Sequence, residues 1–141
     1  MTTPHPPAPV DVVELVVRLL RTLLAHAGPD GTPIPVSTTV GDGPDGGPPT
    51  VPWVLVAEDG HTWDWPAVQR SVIRLTCWHH TPHAAKATAA VALGLLCVRP
   101  APAPLLHTEP VTAPLAGTDP YTGAPLATAA LAALARTPTT P

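Results

Sequence analysis

The chain has 141 residues, a formal charge of -3 and 12% charged residues. That length accommodates one domain, which buries roughly two-thirds of the surface its unfolded form exposes, and excludes two full ones. Pro 22 and Gly 10 demand many turns, and the few scattered Lys and Arg supply no stripe able to neutralise phosphates, which argues against tight nucleic-acid binding.

Met1 to Pro9 is Pro-rich and has no basic region ahead of an apolar stretch, so it reads as a disordered lead-in (residues 1–10) rather than a signal peptide. Asp11 and Glu14 then form a D-x-x-E capping box before an apolar run. The pattern predicts a helix over residues 11–26, with Glu14, Arg18, Arg21 and Thr22 on its polar side and Val12, Leu15, Val16, Leu19 and Leu23 as a broad apolar face. The same charges exclude a membrane span. Gly28 and Pro29 supply the stop.

Ile34 to Val40 is short and β-branched and reads as a strand before the Gly/Pro-rich loop Gly41 to Pro49. Trp53 to Glu58 reads as a strand covered on both sides, with Trp53, Leu55 and Ala57 opposed to Val54 and Val56, and Asp59-Gly60 reads as its end. Val68 to Trp78 forms the partner strand of a long antiparallel hairpin, with Ile73, Leu75 and Cys77 opposed to Val72, Arg74 and Thr76.

Thr81 as cap and Pro82 at the first helical position introduce a second helix running through Val98. Its face of Ala85, Ala89, Ala92 and Leu96 is nearly smooth, which suits close approach to a sheet. Leu105 to Leu115 reads as a Pro-limited edge strand, and Asp119-Pro120-Tyr121-Thr122-Gly123 as a turn. Leu126 to Arg136 favours helix by its alanines, yet Leu126, Leu131 and Leu134 keep no clean helical stripe. The expected fold is α+β, a mostly antiparallel sheet of four to five strands with two helices packed on it, in one domain over residues 11–136 followed by a flexible tail, residues 137–141.

Cys77-Trp78-His79-His80-Thr81-Pro82-His83 gathers four metal-capable side chains within seven residues. On a strand, however, Cys77 and His79 point away from His80, and no second ligand pair stands elsewhere at finger-like spacing, so the bland reading is a core thiol beside a solvated strand-helix junction. Cys77 and Cys97 form no disulfide framework and are expected as reduced thiols. Ser37 and Ser71 are the only serines and neither sits in a nucleophile elbow, so no catalytic pairing emerges. Gly41 to Gly47 lacks both the calcium-loop spacing and the phosphate-loop lysine. No cofactor is expected. Some of the four tryptophans must anchor the core in place of the missing Phe, and Trp63 and Trp65 are alternatively interface anchors.

Trp53-Val54-Leu55-Val56, Gly60, Ile73-Arg74-Leu75-Thr76-Cys77-Trp78 and the Ala-rich run from Ala84 to Leu96 follow one another in an order that resembles the tail-terminator proteins of long-tailed double-stranded DNA phages. Thr118 to Pro125 looks like that family's turn before its final strand, and Arg136 like its closing arginine. The resemblance implies that residues 126–136 are a strand. It also implies a non-enzymatic virion protein at the head-proximal end of the tail. Such a protein forms a hexameric ring on the last tail-tube ring, stops tube polymerisation, and offers its other face to the head-tail connector. DNA would pass through the lumen without specific binding. Similar proteins often carry arginines after the first hairpin strand, whereas this chain has Ala57, Glu58 and Asp59. The candidate contact residues are accordingly Trp63, Trp65, Glu58, Asp59, and Asp42 and Asp45 in the loop. A neck protein of the head-tail connector is the nearest rival, and a metal-binding module built on Cys77, His79, His80 and His83 is the rival from another class.

Overall fold

A computed structural model describes residues 6–40, 50–98 and 100–138. The described elements are α1 (Val12–Leu23), β1 (Val36–Ser37), β2 (Trp53–Asp64), β3 (Val68–Trp78), α2 (Pro82–Val98), β4 (Leu105–Thr118) and β5 (Pro125–Arg136). The five strands form one sheet in the order β1-β2-β3-β5-β4, antiparallel except for the short parallel β1–β2 pair. Both helices pack on the same face, giving the expected α+β architecture of two layers.

Helix α1 begins where its cap predicts, with the Glu14 amide donating to Asp11 Oδ1 at 3.1 Å. Glu14 itself turns to Arg18, 2.6 Å away in an exposed pair of small energetic weight. The helix ends at Leu23, three residues before the expected 26. Its fully buried residues are Val12, Val16, Val17, Leu20 and the capping Leu24, whereas Leu15, Leu19 and Leu23 are only half-buried. The apolar arc is wide enough to permit either orientation, and contact with β1, β2 and α2 selects this one. Arg21, counted on the polar side, donates from Nε and Nη2 to the Val36 carbonyl at 3.1 and 3.0 Å and so ties α1 to the sheet edge. The strand expected over Ile34 to Val40 contracts to Val36–Ser37.

The expected stop at Asp59-Gly60 is a bulge instead: β2 runs on to Asp64, with Glu58 opposite Ile73 and Gly60 opposite Val72. Asp59 is the extra residue, and its carboxylate meets Arg74 at 3.1 Å. The bulge reverses the side-chain phase of β2. Before it, Val54 and Val56 face the helices; beyond it, His61 lies opposite Ser71 and Trp63 opposite Gln69, both on the helix side of β3. The bulge also sets which tryptophans meet, because counting from the Asp64–Val68 pair without it would place Trp53 opposite His79 rather than Trp78.

Helix α2 starts as expected, with Thr81 Oγ1 accepting the Ala84 amide at 3.0 Å and Pro82 in first place. Ala85, Ala89 and Ala92 are fully buried and lie on a strand that is itself mostly alanine on this face: Ala127, Ala129, Ala133 and Ala135, around Leu131. Strand β5 is central, pairing with β3 and β4 along its length, so residues 126–136 form a strand despite their helical propensity. The packed unit includes Val10, hydrogen-bonded to Gln69, and Thr137, which is 3% exposed.

Ser71 is fully buried on the helix side of β3, and among the described residues its Oγ has no hydrogen-bond partner. Because that hydroxyl loses water on folding and gains nothing in return, Ser71→Ala is expected to raise the unfolding free energy by about 1 kcal/mol. Urea titration of the two proteins measures it, and a destabilised alanine variant would show that the hydroxyl is satisfied in solution.

Candidate interaction surface

The sheet face opposite the helices carries the most prominent surface features. At its β1 end Trp53 and Trp78 stack face to face, ring centroids 4.3 Å apart and planes within 5°. Strand pairing puts them opposite each other, and both are buried. The Trp78 indole N–H donates to Asp119 Oδ2 at 3.0 Å. Asp119 opens the β4–β5 turn: its Oδ1 accepts the Tyr121 and Thr122 amides at 2.8 and 3.3 Å, and Gly123 closes the turn with a φ of +72°. The carboxyl of Asp119 is held below its ordinary range, first by the Tyr121 amide and then by the Trp78 indole.

Beside this stack lies an open, almost wholly apolar groove of about 590 Å³, floored by Trp53, Trp78, Leu55 and Leu126 and walled by Val51 and Tyr121. Tyr121 is 95% exposed. In the sequence these tryptophans stand only as core anchors and nothing marks the groove, because the stack depends on the bulge.

A depressed carboxylate stabilises the fold only while it is ionised. The contribution of Asp119 is therefore present above the unfolded carboxylate range, near pH 3.9, and is lost as pH falls through its lower folded value. An Asp119→Asn variant is expected to melt lower than wild type at neutral pH and to converge on it in acid. Thermal midpoints across pH measure this, and a constant gap between the two proteins would rule out the carboxylate's role.

At the far end of the hairpin, roughly 35 Å along β2, Trp63 and Trp65 make an edge-to-face pair with centroids 4.9 Å apart. Trp63 is half-buried and its indole N–H donates to Thr137 Oγ1 at 3.0 Å, whereas Trp65, in the turn, is 63% exposed. Arg70 and Arg136 are exposed on the open face at this end of β3 and β5, without an ion pair among the described residues. Of the other expected contact residues, Glu58 meets His61 at 3.3 Å and Asp59 meets Arg74, while Asp42 and Asp45 lie outside the described residues.

The Cys77 to His83 stretch is not gathered into a ligand set. Cys77 is buried in the core, where burial pushes its thiol up to about 12. The His80 amide donates to His79 Nδ1 at 2.8 Å; burial, and then the neighbouring His80, lower the His79 pKa. His83 is exposed on the first turn of α2. Among the described residues no group of three or more His, Cys, Asp or Glu is close enough to hold a metal ion. Nor is any described helix long and apolar enough to cross a membrane.

No protein-family model matches this sequence, and no curated protein is similar enough to it to count as a relative.

Proposed function

We propose that the chain is a structural assembly protein whose copies join head to tail in a closed ring, and that it serves as a phage tail terminator. The observation that carries this reading is the placement of an exposed aromatic knob, Trp65, and an apolar groove at opposite ends of one hairpin. Two different patches on one subunit make a heterologous contact, which closes into a ring when its rotation permits. Opposite charges stand toward the two ends of the sheet: Asp119 lines the groove, and Arg70 and Arg136 are exposed at the hairpin-turn end of β3 and β5. The resemblance noted in the sequence supplies the setting, a hexameric ring that caps the tail tube, ends its growth and presents a face to the head-tail connector. Such a role requires no catalytic residue, and a net charge of -3 suits a lumen that lets DNA slide past.

Native mass spectrometry over a concentration series is expected to give a sixfold mass, and Trp65→Ala is expected to weaken assembly roughly tenfold or more, since exposed aromatic anchors dominate such contacts. A monomer at every concentration would overturn the ring; a ring indifferent to the Trp65 substitution would overturn the knob and groove. Binding of the assembled protein to purified tube ends distinguishes a terminator from a neck protein.

A further inference from the structure

Gln69 is a fully buried amide on the helix side of β3, and all its hydrogen-bonding positions are used. Its Oε1 accepts the Val10 amide at 2.8 Å and the Thr137 hydroxyl at 3.2 Å. Its Nε2 donates to the Val10 carbonyl at 3.1 Å and stands 2.9 Å from His61 Nε2. The reciprocal pair with Val10 fixes which end of the amide is oxygen, because a flipped amide would set donor against donor and acceptor against acceptor. His61 Nε2 must therefore accept, which leaves the imidazole proton on Nδ1, directed at Glu58 Oε1 3.3 Å away.

We propose that His61 and Gln69 form a proton-sensitive latch on the segment that precedes α1. Proton uptake at His61 Nε2 turns the acceptor into a donor facing the Gln69 N–H, and the amide cannot flip without mispairing both Val10 groups. The imidazolium keeps its contact with Glu58 and swings away from Gln69. A buried N–H is left without its partner, and the hold on Val10 loosens.

Among the described residues, the charged groups around this cluster come from β2, β3 and α1 with its cap. On β2 there is Glu58, with Asp59 engaged by Arg74 of β3. From α1, Asp11, Glu14 and Arg21 share a cleft with Glu58. From the described part of the C-terminal segment, the uncharged Thr137 bonds Gln69 and also receives the Trp63 indole N–H. Arg70 belongs to the opposite face of the sheet. This inference is independent of ring formation.

Amide hydrogen exchange of the whole chain tests it. Between about pH 7.5 and about pH 5.5, the protection factor of the Val10 amide is expected to fall roughly tenfold after correction for intrinsic exchange, while that of Leu75 in the core stays constant. His61→Leu, an exposed position, is expected to abolish the pH dependence. Unchanged Val10 protection in the wild-type protein, or an equal fall in the His61→Leu variant, would overturn the latch.

Discussion

Replacing Trp53 by alanine is expected to lower the unfolding free energy by about 3–5 kcal/mol, the largest single-residue loss anticipated for this chain. Trp53 is 1% exposed and lies flat on Trp78, so its removal deletes a large buried surface and exposes the face of its partner. The neighbours offer little relaxation, since Trp78 is pinned by Asp119 through its indole N–H. The Trp65→Ala variant provides the contrast: with 63% of its surface already in water, it should change stability by less than about 0.5 kcal/mol while weakening assembly. Urea denaturation followed by far-ultraviolet circular dichroism measures both. A Trp53 variant within about 1 kcal/mol of wild type would mean that the stack does not belong to the stable core.

The second large effect is expected from adding volume. Ala89 is fully buried where α2 lies on the alanines of β5, and an interface of alanine on alanine has no space for a longer side chain. Ala89→Leu should therefore cost about 2–3 kcal/mol by displacing the helix, although leucine is nearly as good a helix former as alanine. Ala90, one position along and exposed, isolates the cause, because leucine there keeps the propensity and meets solvent. If Ala89→Leu and Ala90→Leu unfold at the same urea concentration, the close approach of α2 to β5 is disproved.

Much of the local structure was readable from residue chemistry. Asp11 and Thr81 cap the two helices because each side-chain oxygen meets an amide three residues on. Val68 to Trp78, with Ile73, Leu75 and Cys77 on one side and Arg74 and Thr76 on the other, forms a strand with the expected bounds, and Asp119 to Gly123 forms the expected turn. The candidate surface was only half legible. Trp65 stands out because a tryptophan beside a proline, between two strand-like runs, falls where a turn leaves a large side chain exposed. The groove does not, because its floor is drawn from residues far apart in the chain, Trp53, Trp78 and Leu126.

What the amino-acid sequence determined by itself, then, is where elements begin and end when capping, proline and period-two alternation act within a few residues of each other. Tertiary structure decided the rest. The arc of α1 turned toward Val12, Val16 and Leu20 because the sheet and α2 bury that side. The Ala-rich β5 became a strand because two neighbours supply ladder hydrogen bonds that outweigh its helical preference. The extra residue at Asp59 stacked Trp53 on Trp78 and placed His61 and Trp63 on the same side of the sheet as Gln69. A bulge shifts register over a whole strand for one inserted residue, and only pairing with β3 determines whether Asp59-Gly60 turns the chain or bulges it.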